Sequence, residues 1–293
     1  MGGVFTDVVN AVWPCDCRLC GGPMIQVSRA MVCEACVARV EAQDERLMPL
    51  CSRCGDALGM ESARFAAAMG TSECTMCRLA PPEFARAVAY AEYDAEVREM
   101  LHQLKFYGAR EMAGHVLGEW LAAAVLKLEG EAARELVVVP VPLFAARERA
   151  RGFNQAELLA EAAVKRLRRM RPEWKLRIST GVLKRVKDTR ALFTMQPHQR
   201  RRGLRGAFQV ADAEAVCGRE VLLMDDILTT GATARECARV LIAAGAAKVW
   251  VATVARAQPE SVKMSSDEDS DGSMVARWDA GVGTEVKESE VRS

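Results

Sequence analysis

Thirteen consecutive residues, Val221-Leu-Leu-Met-Asp-Asp-Ile-Leu-Thr-Thr-Gly-Ala-Thr233, set two adjacent carboxylates directly before a turn rich in hydroxyls. Their first four residues read as a buried strand, and Cys237, Val240, Leu241 and Ala244 then recur at helical spacing before Gly245. A strand that turns tightly into a helix presents free backbone N–H groups at the positive end of the helix dipole, which is a cradle for phosphate. Thr229, Thr230 and Thr233 add hydroxyl donors, and Gly231 lets the main chain approach a phosphate with no Cβ between them. Asp225 and Asp226 stand at the carboxyl end of the strand, where ligands of open α/β sheets bind. The ligand this chemistry asks for carries a phosphate and, close by, hydroxyls or a divalent cation. A capped turn with a merely solvated Asp pair is the plain alternative, and the length of the matching string argues against it. A Walker loop is excluded because no Gly-Lys-Ser/Thr stands in the turn.

A second constellation lies near the start. Nine of the eleven cysteines fall between Cys15 and Cys77, eight of them as Cys17-x2-Cys20, Cys33-x2-Cys36, Cys51-x2-Cys54 and Cys74-x2-Cys77. Such pairs make knuckles that aim two thiolates at one ion, so eight thiolates complete about two tetrahedral Zn²⁺ shells. Sequential grouping puts Cys17, Cys20, Cys33 and Cys36 on one ion and Cys51, Cys54, Cys74 and Cys77 on the other; crossed grouping stays open, as does a swap of Cys15 for Cys17. Closed shells of four thiolates leave no position for a reacting water, so this zinc folds a small module rather than performing chemistry. The competing reading is a disulfide-stapled module, which would need an oxidising compartment.

The chain of 293 residues has room for two domains, and 50% apolar content supplies a sizeable core. The net charge of +1 conceals segregation. Residues 165–205 hold 15 Lys or Arg against Glu173 and Asp188, and residues 257–293 hold nine acids against four bases. No apolar run approaches the roughly 18 residues of a membrane helix, and residues 1–14 lack a basic n-region and a cleavage pattern. Met-Gly-Gly-Val-Phe-Thr fits the loose N-myristoylation pattern, but nothing polybasic follows it. With thiols in metal-ligand spacing, the expectation is a soluble cytoplasmic protein with no membrane insertion.

The elements that must position these groups follow from periodicity. The cysteine module ends at Pro81-Pro82, and Glu61–Gly70 within it suits a short helix. Phe84–Tyr93 alternates as a strand; helices span Ala95–Phe106 and Arg110–Glu129, broken at Gly108. Leu136–Val141 is a β-branched strand, and Asn154 opens a helix with stripe Ala156, Leu159, Ala160, Ala163 and Leu167. Val221–Asp226 and Lys248–Val254 are further strands. This alternation predicts a doubly wound parallel α/β sheet. The expected limits are 1–82 for the cysteine module, 83–256 for the α/β domain and 257–293 for an acidic tail with too little apolar surface to pack.

The Asp-Asp–Thr-Thr-Gly–Thr string resembles the phosphoribosyl-pyrophosphate motif of type I phosphoribosyltransferases. The resemblance implies that Asp225 and Asp226 hold the ribose hydroxyls and organise Mg²⁺, while Leu228, Thr229, Thr230, Gly231, Ala232 and Thr233 wrap the 5′-phosphate. Four further stretches narrow the family: the knuckles after Trp13-Pro14, Leu104-Lys-Phe-Tyr-Gly108, Val139-Pro-Val-Pro-Leu with Arg151-Gly-Phe-Asn-Gln155, and Lys184-Arg-Val-Lys-Asp-Thr-Arg190 leading to Gly206-Ala-Phe208. In this order they resemble the ComF family, over about residues 10–256. Leu192 and Gly203 depart from the Gln and Asn that the family's basic loop carries.

A pyrophosphate leaving group needs cations. Lys105, Arg147 and Arg151 are the candidates to hold it, and Lys187 and Arg190 suit a loop closing over it. Asn154 and Gln155 also fit simple helix capping, and His102, His115 and His198 are too dispersed for a metal site. Two functions stand: a phosphoribosyltransferase acting on an unidentified acceptor, or a non-catalytic adaptor in DNA uptake whose basic stretch follows single-stranded DNA.

Overall fold

The computed structural model describes residues 16–24, 30, 32–44, 47–106, 109–188 and 203–258. Arg190, Leu192, Cys15 and the acidic tail from residue 259 lie outside these. The described elements are, in order, α1 (Glu34–Ala38), α2 (Met60–Ala68), α3 (Thr75–Leu79), β1 (Arg86–Glu92), α4 (Ala95–Phe106) and α5 (Ala109–Met112). A π-helical turn (Ala113–Leu117) then leads into α6 (Gly118–Leu126), followed by β2 (Glu135–Pro140), α7 (Ala145–Arg151), α8 (Gln155–Met170), β3 (Lys175–Ile178), β4 (Leu183–Arg185), β5 (Phe208–Val210), β6 (Glu220–Leu228), α9 (Ala232–Ala243) and β7 (Lys248–Arg256).

Nearly continuous Val, Leu and Ala runs are the mark of strands buried on both faces. Five of them form a wholly parallel sheet in the order β1-β7-β6-β2-β3. β6 is central, with Val221 in register between Val137 of β2 and Val249 of β7. Side chains alternate across the pleat. Leu222 and Met224 join the core under α4, α6 and α8, whereas Val221 and Leu223 join the core under α9. Close α6–α8 packing requires Gly118, where a Cβ would lie 2.5 Å from that of Ala162.

The sheet would end in an open β1 edge, a ready template for another strand. The cysteine-rich segment covers it: Gln43 N–H donates to Tyr90 O at 2.6 Å, and Ala87 N–H to Arg53 O at 2.8 Å. The strands depart from the periodicity reading most clearly at β6 and β3. β6 continues two residues beyond the Asp pair because β7 keeps pairing alongside it, Ile227 with Ala255 and Leu228 with Arg256. β3 lies hidden in the basic stretch, since this edge strand buries Leu176 while Lys175 and Arg177 face outward. Among the described residues no helix is long and apolar enough to cross a membrane.

Candidate functional site

Asp225 and Asp226 occupy the carboxyl end of the central strand. Asp226 is buried and ion-paired with Lys105, which α4 delivers in its last turn. Its backbone N–H donates to Asp225 Oδ1 at 2.9 Å. Burial, followed by the charge of Asp226 next to it, pushes the Asp225 carboxyl well above the usual carboxylate range. Asp226 is buried too, but Lys105 and the bond with Asp225 outweigh burial and hold its carboxyl below that range. Opposite shifts of this kind are what two adjacent carboxylates show when the charge of each disfavours ionisation of the other. Adjacent carboxylates are hard oxygen donors of the type that would suit a divalent cation such as Mg²⁺.

The loop beyond has backbone geometry that could take an anion. Gly231 has φ 72°, a left-handed conformation that favours glycine, and α9 begins at the next residue. Asp225 and Thr229–Thr233 line one pocket. Leu228 and Ala232 are buried and so offer backbone groups, whereas Thr229 is exposed and Thr230 and Thr233 are half-buried.

Besides Lys105, Arg151 acts on the charge of Asp226; Arg147 and Arg151 both sit on the short helix α7. The Arg151 guanidinium is lowered from its ordinary value by burial and by Arg147, against the opposing charge of Asp226, and it donates to Gln155 Oε1. Asn154 caps α8, accepting from Ala156 N–H at 3.1 Å, and its Nδ2 donates to Val141 O at 3.1 Å, so it also ties the helix to the end of β2. Lys187 Nζ donates to Arg205 O at 3.0 Å, joining the two arms that flank residues 189–202.

The cysteines assemble in the sequential grouping. Cys17, Cys20, Cys33 and Cys36 form one cluster and Cys51, Cys54, Cys74 and Cys77 the other, with all sulfurs of each within 4.8 Å of one another. Each cluster can hold a structural zinc. Backbone N–H groups already serve its thiolates: Cys33 N–H donates to Cys17 Sγ at 3.3 Å and Cys74 N–H to Cys51 Sγ at 3.1 Å. Although burial raises the Cys17 thiol, N–H bonds from Cys33, Cys20 and Leu19 bring it down to about 6. Hydrogen bonds from Cys54, Cys74 and Cys77 lower Cys51 strongly. Thiolates are the metal-binding form.

Residues 130–287 match the phosphoribosyl transferase domain family. A DNA utilization protein, YhgH, of Salmonella typhimurium is 30% identical over 237 residues, covering 80% of this chain and 94% of the relative. Competence protein F of Haemophilus influenzae is 25% identical over 244 residues, covering 82% and 96%. Competence protein ComFC of Bacillus subtilis is 30% identical over 155 residues, covering 53% and 57%. The chain belongs to the phosphoribosyl transferase domain family, within its ComF branch. Its parallel sheet and N-terminal cysteine clusters are the architecture expected above for this branch.

Within this phosphoribosyl transferase domain, two arginines escaped the sequence reading. Arg185, on β4, stacks over Phe208 with its guanidinium 5.3 Å from the ring centroid. It is lowered by burial, then by Arg147, and opposed by Asp225, so it shares the field of the carboxylate pair. Arg256, at the end of β7, is buried and donates to Leu228 O at 2.9 Å and to Thr229 O. Arg185 sits amid other basic residues and Arg256 closes an apolar strand, so neither position stands out in the chain.

Proposed function

We propose that this chain binds phosphoribosyl pyrophosphate with Mg²⁺ at the carboxyl edge of β6 and transfers the phosphoribosyl group to a nitrogenous acceptor. The carrying observation is the carboxylate pair, one member raised and the other held charged by Lys105, set directly before the Thr229–Thr233 cradle. The cradle takes the 5′-phosphate through N–H groups and threonine hydroxyls, and Asp225 and Asp226 take the ribose hydroxyls and the cation. Mg²⁺ supplies charge neutralisation of the leaving group. In the transfer the C1–O bond to pyrophosphate breaks, a C1–N bond forms, and the acceptor's proton passes to the released pyrophosphate or to solvent. Lys105, Arg147, Arg151 and Arg185 stabilise the charge that develops, so no covalent nucleophile is required. Lys187 is assigned to closure over the leaving group, which would exclude water; Arg190, assigned to the same role from the sequence, lies outside the described residues. Pyrophosphate release measured against a panel of nitrogenous bases tests the reading; no release with any base leaves a ligand-binding protein instead of an enzyme.

A second reading, single-stranded DNA handling during uptake, has support in the names of the relatives. In the described part of the basic stretch several cations are already engaged within the fold, two of them by carboxylates. Arg166 pairs with Glu119 at 2.7 Å, Arg171 pairs with Glu129 at 2.8 Å, and Arg168 and Arg177 donate to Leu176 O and Ala215 O. If DNA binds, affinity falls steeply with salt and replacing Arg200, Arg201 and Arg202 by Ala flattens the slope. Weak binding without a salt slope would eliminate this reading.

A further inference from the structure

The two cysteine clusters differ in what they touch. Cys17 and Cys36 pack into the core beneath α4 and α6, and Arg18 donates to Gln103 of α4 at 3.4 Å. The second cluster instead faces the phosphate loop. A cavity of about 380 Å³ separates them, lined on one side by Cys54, Cys74 and Cys77 and on the other by Thr229, Thr230 and Gly231. Leu228 and Ala232 share a buried apolar cluster with Cys51, Cys54 and Cys77, while Thr229, Thr230 and Gly231 border the cavity, across which a few polar tethers run.

The first tether starts at Asp56, two residues after Cys54 in the knuckle. Its Oδ1 lies 3.2 Å from Arg256 Nη2, and the same guanidinium donates through Nη1 to Leu228 O, Thr229 O and Ala257 O. Both sides of the pair are largely buried, Arg256 at 5% exposure. The second tether is Arg235 in the first turns of α9, which donates to Ala80 O at 2.6 Å and to Cys77 Sγ at 3.8 Å. A third bond, Ala57 N–H to Gln258 Oε1 at 2.9 Å, fixes the knuckle to the chain just after Arg256. The loop carbonyls at Leu228 and Thr229 are held by a group whose own counterion belongs to the cysteine module.

From this geometry we infer that the second cysteine cluster positions the phosphate loop through Asp56 and Arg256, whereas the first cluster only completes the core. Asp56 and Arg256 are positioning residues: Arg256 touches the loop backbone, and Asp56 acts through Arg256. The inference rests on the phosphate-binding reading of Leu228–Thr233. A fixed loop holds its N–H groups converged before the ligand arrives; a released loop must be ordered at the ligand's expense, which weakens affinity. Metal loss at the second cluster would act on the loop by the same route, because the knuckle turn carries Asp56.

The test uses the full chain with Asp56→Asn, which preserves shape and all eight knuckle cysteines but removes the counterion of Arg256. Three quantities are read: zinc content, amide hydrogen exchange, and affinity for phosphoribosyl pyrophosphate with Mg²⁺. Zinc content stays at the wild-type value. Exchange quickens in peptides covering residues 228–234 and stays unchanged in those covering 17–24 and 136–141. Affinity falls on the order of 10-fold, the scale for lost second-layer support, and Asp56→Glu restores part of it. Arg39→Gln, which removes a 3.0 Å bond to Cys36 in the first cluster, leaves loop exchange unchanged. Unaltered loop exchange in a folded Asp56→Asn protein overturns the inference, as does quickening spread evenly through the sheet. Should that variant not fold, Arg256→Lys is read the same way, and collapse of both also overturns a local role. If wild-type protein binds no phosphoribosyl pyrophosphate, the functional reading fails while exchange still judges the tether.

Discussion

Asp225→Asn tests whether the carboxylate pair shares a proton in the folded protein. In the folded protein Asp225 is raised by burial and by Asp226; unfolded, it returns to about 3.9. A raised folded value means that its contribution to stability is complete below about pH 3.9 and is lost as pH rises through the folded value. Every tenfold loss of acidity costs about 1.4 kcal/mol once the group must ionise, or roughly 3–6 °C of melting temperature in a domain of this size. Asparagine has no charge to lose. The variant should therefore melt together with wild type near pH 3.5 and progressively above it towards pH 8, when neither metal nor ligand is present. Adding Mg²⁺ with phosphoribosyl pyrophosphate should reverse the order, because a cation stabilises only the pair that can ionise fully. Thermal melts at half-unit pH steps decide the matter. Parallel curves for the two proteins across the whole range would refute the shared proton, and with it the argument that the pair calls for a cation.

Metal analysis should return about two zinc ions per chain, and Cys33→Ser should lose one of them and lower the melting transition, because Cys17 and Cys36 of that cluster pack into the core of the sheet; a value near zero, with thiols found in disulfides, would overturn the ribbon reading. Truncation after Gln258 should preserve folding and ligand binding, since Ala257 and Gln258 make the last described bonds to the fold, at 3.0 Å to Leu228 O and 2.9 Å from Ala57 N–H. Insolubility or lost binding would show that the acidic segment belongs to the domain.

What the sequence discloses depends on how local the chemistry is. Asp225, Asp226 and Thr229–Thr233 are contiguous, so the strand, turn and helix they need can be read from a single string. The knuckles are local too, but their grouping is not, and only the fold brings Cys17 to Cys36 and Cys51 to Cys77. Asn154 was readable as a cap, whereas its second bond to Val141 was not. Arg185 acts through β4, a three-residue strand in a run of basic residues whose alternation reveals little. Asp56 and Arg256 meet across nearly the whole described chain, and such a pair leaves no trace in spacing or periodicity. The charge count of residues 165–205 misleads in the opposite sense over its described part, because it is blind to Glu119 and Glu129, which pair with Arg166 and Arg171 in the fold.

The central claim is tested most directly by calorimetric titration of the purified chain with phosphoribosyl pyrophosphate. The account predicts one molecule bound per chain in the presence of Mg²⁺, with binding abolished by chelator and by Asp225→Asn combined with Asp226→Asn. No binding to the wild-type protein, or equal binding to the double variant, would contradict it.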